Sequence, residues 1–177
     1  MRVVRSYLFL YNVFQAIGWS LALLRISTGI MSSKSISGTY AISGGLISLL
    51  QSIAFLEVLH GGLGIVPSGI VAPLMQWGGR THFLFAIVRR LREVHQFAAV
   101  FITFAAWSLT EIIRYSQYAL NGVNLCPYWL TYLRFGALTY ISFDIELCLA
   151  DTTHSLCCTP LGYLLVKCGL CMNLFHT

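Results

Sequence analysis

The sequence predicts an all-α protein: a polytopic transmembrane helix bundle of about six spans, the sixth resting on the C-terminal tail. Three observations predict it. The 177 residues are 57% hydrophobic and only 10% charged, with a mean hydropathy of +0.75, whereas soluble domains carry roughly 25% charged residues. Several apolar stretches are long enough to cross a bilayer. One of them, Phe97–Tyr118, reaches about 33 Å at about 1.5 Å per residue, against a hydrocarbon core of roughly 30 Å. Finally, charges sit inside these stretches at helical spacing. Glu111 and Arg114 lie one turn apart in that same run. Each costs about 2.5–3.5 kcal/mol near the bilayer centre, so they point to polar chemistry held between helices.

Taken in order, Arg2 and Arg5 precede an apolar run from Tyr7 to Leu24. The run is long for a signal-peptide core and no small-residue cleavage site follows, so it is predicted to be an uncleaved first span. The two arginines favour a cytoplasmic N-terminus. Tyr7, Tyr11 and Trp19 are expected as interface or packing aromatics, and Asn12 as a helix–helix hydrogen bond. Residues 27–39, rich in Ser and Gly, predict a loop. A second span follows from Tyr40 to about Leu59, with Gly44 and Gly45 suited to a close helix crossing. Glu57 and His60 share one face near its end, either as a bonded pair at the membrane boundary or as parts of a site.

Gly61–Arg80 holds Pro67 and Pro73, which break any long helix and predict a bent or partly re-entrant segment. Its glycines lack the Lys-Ser/Thr of a phosphate loop. Phe83–Val88 is a short apolar run with Arg80 before it and Arg89, Arg90 and Arg92 behind it. It predicts either a tilted span with snorkelling arginines at one end, the favoured reading, or an amphipathic helix on the membrane surface, with the arginines setting topology. After Phe97–Tyr118, Asn121-Gly122 predicts a turn and Pro127 a helix start. Tyr128–Ala150 is the next span and carries Arg134, Tyr140, Asp144 and Glu146. On an ideal helix Glu146 follows Tyr140 by a net rotation of about 240 degrees, a separation of about 120 degrees, so they do not face one way. Residues 151–177 form a divergent tail and candidate last span. Five of the six cysteines lie between Cys148 and Cys171. Cys168 and Cys171 form a single C-x-x-C, without the second pair a zinc site needs. The chain is expected to be one domain over residues 1–177. The net charge of +5 is dispersed among apolar runs, which excludes a nucleic-acid-binding module. A channel or transporter is disfavoured by the lack of an internal repeat.

Four stretches carry a more specific signal: "YLFLYNVFQAIGWS" (Tyr7–Ser20), "QSIAFLEVLHGGLGIVPSGI" (Gln51–Ile70), "WSLTEIIRYSQYAL" (Trp107–Leu120) and "PYWLTYLRF" (Pro127–Phe135). They resemble the membrane-embedded very-long-chain (3R)-3-hydroxyacyl-CoA dehydratase family, also called protein-tyrosine-phosphatase-like. The resemblance spans residues 1 to about 135. It implies a multi-pass enzyme of the endoplasmic reticulum membrane with six spans. The implied reaction removes water from a (3R)-3-hydroxyacyl-CoA to give a trans-2-enoyl-CoA in fatty-acid elongation. No metal or redox cofactor is implied. The implied partners are a long-chain 3-hydroxyacyl-CoA, the bilayer and other elongation enzymes.

The family's catalytic Tyr and Glu sit in a pattern resembling L-R-Y-x-x-F-x-x-L-Y-P-x-G-x-x-x-E. Here the text reads "LRFGALTYISFDIELCLA". Arg134 matches the family Arg and Phe135 replaces its Tyr. Without gaps Ser142 and Leu149 fall on the catalytic positions; with three residues lost, Tyr140 and Glu146 take them. The resemblance thus implies Tyr140 and Glu146 as the catalytic pair, supported by Glu111, Arg114, Tyr115, Arg134, Glu57 and His60. The Tyr-Pro-x-Gly turn is missing in either register, and the C-terminal part is expected to be divergent or truncated. The alternative is a catalytically impaired family member that acts as a membrane partner of elongation enzymes.

Overall fold

The computed structural model describes residues 2–33, 38–67, 69–90, 95 and 98–134. The expected span beyond Arg134 and the cysteine-rich tail lie outside the described residues. Within them every regular element is helical. Three helical runs are long and apolar enough to cross a membrane: Val3–Ser32, Thr39–Gly62 and Ala98–Gly122.

Helix α1 (Arg2–Ser33) extends well past the expected first span. The Ser/Gly-rich stretch from residue 27 is a loop by composition, yet its first part stays helical. The hydroxyls of Ser27 and Thr28 donate back to the Leu23 and Leu24 carbonyls at 3.0 and 2.9 Å, which lets polar residues ride in a helix. The second span is α2 (Thr39–Ile53) followed directly by α3 (Phe55–Gly62). Ala54 between them keeps helical dihedrals and donates to the Leu50 carbonyl at 2.9 Å, so the pair acts as one rod.

The expected close crossing at Gly44 and Gly45 is instead made by α1. A Cβ on Gly18 would stand 2.4 Å from a Leu50 methyl, and one on Gly29 2.5 Å from Ile42. Gly44 only makes room for the Tyr40 ring of its own helix, and Gly45 faces open space. Asn12 makes no helix–helix bond among the described residues. Gln15 and Tyr11 do, donating to the Leu50 and Ile53 carbonyls at 3.5 Å.

Gly61 permits the next turn. Its Cβ would lie 2.2 Å from the Gly69 carbonyl oxygen, so the loop backbone closes directly onto α3. Helix α4 (Val71–His82) starts four positions after Pro67 and carries Pro73 in its first turn. There the missing N–H has no helical partner to lose, so Pro73 opens this helix rather than breaking it. The helix widens into a π-helical turn, Phe83–Val88, where the Arg89 N–H reaches back to the Leu84 carbonyl at 2.9 Å. Leu84 and Val88 are fully buried there. Helix α5 (Ala98–Gly122) covers the expected central span. The turn falls just after Asn121-Gly122, at Asn124, whose φ is +58°. Pro127 then opens a last helical segment, residues 128–134, with the Leu130 N–H on its carbonyl.

The bundle is apolar outside and polar within. On α1, Leu10, Phe14, Ile17, Leu21 and Leu24 form a helical stripe whose members are 48% to 65% exposed. Gln15, Gln51, Ser108, Glu111 and Arg114 are buried. Such an arrangement suits lipid, where packing and interhelical hydrogen bonds hold helices together. Helices α1 and α5 form the longest pairing, with Trp19, Ile26, Val100, Phe104 and Tyr115 in the shared core. The ends are distinguishable. Tyr7 meets His60 at one, and Tyr40 stacks on His95 at 3.9 Å between ring centroids at the other.

Candidate active site

Arg114 is the centre of the polar interior. It sits on the inner face of α5 and is 8% exposed. Its Nη1 and Nη2 donate to Glu57 Oε2 and Oε1 at 3.0 and 3.2 Å, a two-pronged contact that fixes orientation as well as charge. Its Nε donates to Glu111 Oε2 at 2.7 Å and Nη2 approaches the same oxygen at 2.6 Å. Nη1 also donates to Gln76 Oε1 at 3.2 Å, and Nη2 to the Tyr115 hydroxyl at 3.0 Å. Glu111, 1% exposed, is held from its other side by Arg80, whose Nη1 donates to Oε1. The Arg80 guanidinium rests over the Trp107 ring, 5.2 Å from its centroid.

The result is a neutral network of two carboxylates and two guanidinium groups drawn from α3, α4 and α5. Isolated charges near the bilayer centre cost about 2.5–3.5 kcal/mol each. A close ion pair returns about 4 kcal/mol at an effective dielectric near 20. Three such contacts roughly balance four such charges. The network therefore contributes geometry more than net stability. It also ties up both carboxylates, so neither is free to take a proton from a substrate while both arginines stay in place.

The spacing of Glu111 and Arg114 predicts a pair, and they form one. Glu57 and Tyr115 join them. Glu57 and His60 do not bond to each other: Glu57 turns to Arg114, while the buried His60 Nε2 meets the Tyr7 hydroxyl at 2.9 Å. The Tyr7 and Tyr11 rings both stand edge-on to the His60 ring. Arg134 lies in a second cluster. It donates to Gln117 Oε1 and to the Tyr118 hydroxyl, both at 2.9 Å. Tyr140 and Glu146 lie outside the described residues.

Arg80, Gln76 and Gln51 are site residues that the sequence does not reveal. Arg80 reads as a topology charge because its partner Glu111 lies on another helix. Gln51 donates to the Trp77 carbonyl and Thr81 hydroxyl, and accepts the Trp77 indole N–H on its own carbonyl at 3.0 Å. These bonds lock α2 to α4. Against the network lies a cavity of about 10 Å³, walled by Trp19, Gln76, Trp77, Arg80 and the Glu111–Arg114 pair. It is about the size one water or one oxygen atom needs. On the far side of Trp77 an apolar groove of about 220 Å³ runs between Phe55 and Phe85. Among the described residues no three of His, Cys, Asp and Glu gather as a metal site would require.

The bundle and its buried ion network define an all-helical membrane protein with polar chemistry in its interior. Residues 51–141 match the family model described as "Protein tyrosine phosphatase-like protein, PTPLA". The chain belongs to that family. The matched region contains Glu57, Arg80, Glu111, Arg114 and Tyr140, and stops before Glu146.

Curated relatives agree. Very-long-chain (3R)-3-hydroxyacyl-CoA dehydratase 2 of Mus musculus is 32% identical over 75% of this chain and 52% of its own length. The Caenorhabditis elegans dehydratase hpo-8 is 33% identical over 80% of this chain and 65% of its own length. The Oryza sativa dehydratase PASTICCINO 2A is 35% identical over 76% of this chain and 61% of its own length. The chain thus spans about half to two thirds of these relatives. No solved structure matches it.

Proposed function

We propose that this protein is a very-long-chain (3R)-3-hydroxyacyl-CoA dehydratase of fatty-acid elongation, a multi-pass protein of the endoplasmic reticulum membrane with six spans. The observation that carries the reading is the buried Glu57–Arg114–Glu111–Arg80 network inside the family-matched region. The names of the relatives supply the reaction. Dehydration needs one group to take the C2 proton and another to protonate the 3-hydroxyl as it leaves as water. Tyr140 and Glu146 divide this work. The ion network, with both carboxylates engaged, holds α3, α4 and α5 in register. Tyr115, Arg114, Arg134 and His60 are the supporting residues of this reading. The groove beside Trp77 receives part of the acyl chain.

The test is turnover of a long-chain 3-hydroxyacyl-CoA by the full chain expressed in membranes. Wild type should dehydrate it, and Tyr140→Phe and Glu146→Ala should each abolish the reaction while leaving insertion intact. Full activity in either variant removes that residue from the assignment. A wild-type chain that inserts but never dehydrates would overturn the dehydratase reading.

A further inference from the structure

The cavity beside the ion network has a chemical bias. Both oxygens of Glu57 and both of Glu111 already accept from arginines, and Gln76 Oε1 accepts from Arg114. Among the described residues that line the cavity, one fully buried polar atom is left without a partner, and it is a donor: the indole Nε1 of Trp19. Trp19 is 1% exposed. A buried N–H without an acceptor costs roughly 1–3 kcal/mol. Trp19 sits on α1, held there by the Gly18 crossing, so the ring cannot easily turn its N–H to water. Gln76 and Arg80 add further N–H groups that have no acceptor among the described residues.

We propose that this cavity seats the carbonyl oxygen of an acyl thioester, with the Trp19 indole N–H as its buried donor. The inference rests on the acyl-CoA reading above and names the residues that hold the substrate's acyl head. Size and polarity both select this group. The space of about 10 Å³ admits one oxygen atom. The unpartnered group is a donor, and each carboxylate oxygen on the wall already accepts from an arginine; a hydroxyl asks for an acceptor as well as a donor. A carbonyl asks only for a donor. When the C2 proton leaves to a base, the electron pair of that C–H bond moves toward the carbonyl oxygen. It returns to form C2=C3 as the 3-hydroxyl departs with a proton as water. A fixed N–H aimed at that oxygen is stronger when the charge is on it than before, which lowers the barrier. Trp19 is a binding and transition-state residue in this scheme, separate from the proton-transfer pair.

The experiment uses the full chain in lipid nanodiscs with ¹⁵N-labelled tryptophan, which gives four indole signals. Trp19 is assigned by Trp19→Phe or, if that variant does not fold, by elimination with Trp77→Phe, Trp107→Phe and Trp129→Phe. Two probes are compared: a saturated long-chain acyl-CoA, and its thioether analogue with CH₂ in place of the carbonyl. The Trp19 N–H signal should move downfield with the thioester and stay in place with the thioether. A signal that moves equally with both, or with neither, overturns the proposal. In turnover assays Trp19→Phe should lower kcat by about tenfold or more with little change in KM. An unchanged kcat in a folded variant also overturns it. If the thioester moves the signal but no dehydration occurs in wild type, the carbonyl seat stands and the dehydratase reading falls. If dehydration occurs and the signal is unmoved, only the seat falls.

Discussion

Two arginines reach the same tyrosine ring and are completed differently. Arg114 stands 6.0 Å from the Tyr118 centroid and Arg134 4.8 Å from it. Arg114 is charge-balanced within the described structure, with carboxylates from α3 and α5 around it. Arg134 meets only an amide oxygen and a phenol. No carboxylate among the described residues neutralises it. The difference separates a buried cation from a half-buried one. One is a keystone whose charge is consumed by the fold. The other, among the described residues, is bonded to neutral groups.

Substitutions can break this contrast. The largest effect is expected from Arg114→Leu, which leaves Glu57 without a cation and Glu111 with Arg80 alone. Breaking a buried pair from one side costs about 3–5 kcal/mol, so the detergent-solubilised protein should unfold or aggregate well below the wild-type temperature. Wild-type thermal stability would show that Arg114 is no keystone. Arg80→Met should come next, at about 1.5–3 kcal/mol, since Glu111 keeps Arg114 and loses one charge-assisted bond. The same thermal assay ranks the two.

Arg134→Leu sharpens the comparison from the other side. It loses two bonds to neutral partners and should cost below about 2 kcal/mol in the thermal assay, yet should reduce turnover of a 3-hydroxyacyl-CoA about tenfold or more. Full turnover would place Arg134 outside the site. The smallest change is expected from Gly45→Ala. With nothing within 4 Å of the new Cβ and a better helix former in place, stability should hold or rise by up to about 1 kcal/mol. A large loss there would mean that the thermal assay is reporting something other than the interior.

The three long spans are legible because apolar length is a local signal. The first is longer than its hydropathy suggests, since Ser and Thr can bond back along a helix and hide from a composition reading. The Glu111–Arg114 pair is legible because both members share one turn of one helix. Arg80 is hidden for the opposite reason: it reads as a topology charge at the end of a bent segment, and only the folded bundle brings it to Glu111. His60 is readable as buried-site material but its partner is not, because Tyr7 comes from the far end of another span. The catalytic pair is named from resemblance alone, and a broken motif leaves its register to be decided by mutation.

The ion network also bears on how the chain is made. Helix α5 enters the membrane with Glu111 and Arg114 already paired within one turn, a dipeptide-scale neutralisation that needs no neighbour. Glu57 and Arg80 belong to the helices synthesised before it. Each arrives as a single charge in a mostly apolar segment and has its final partner only once α5 is beside it. Helix α5 therefore completes the arrangement of α3 and α4, since it carries the ion-pair partners of both Glu57 and Arg80.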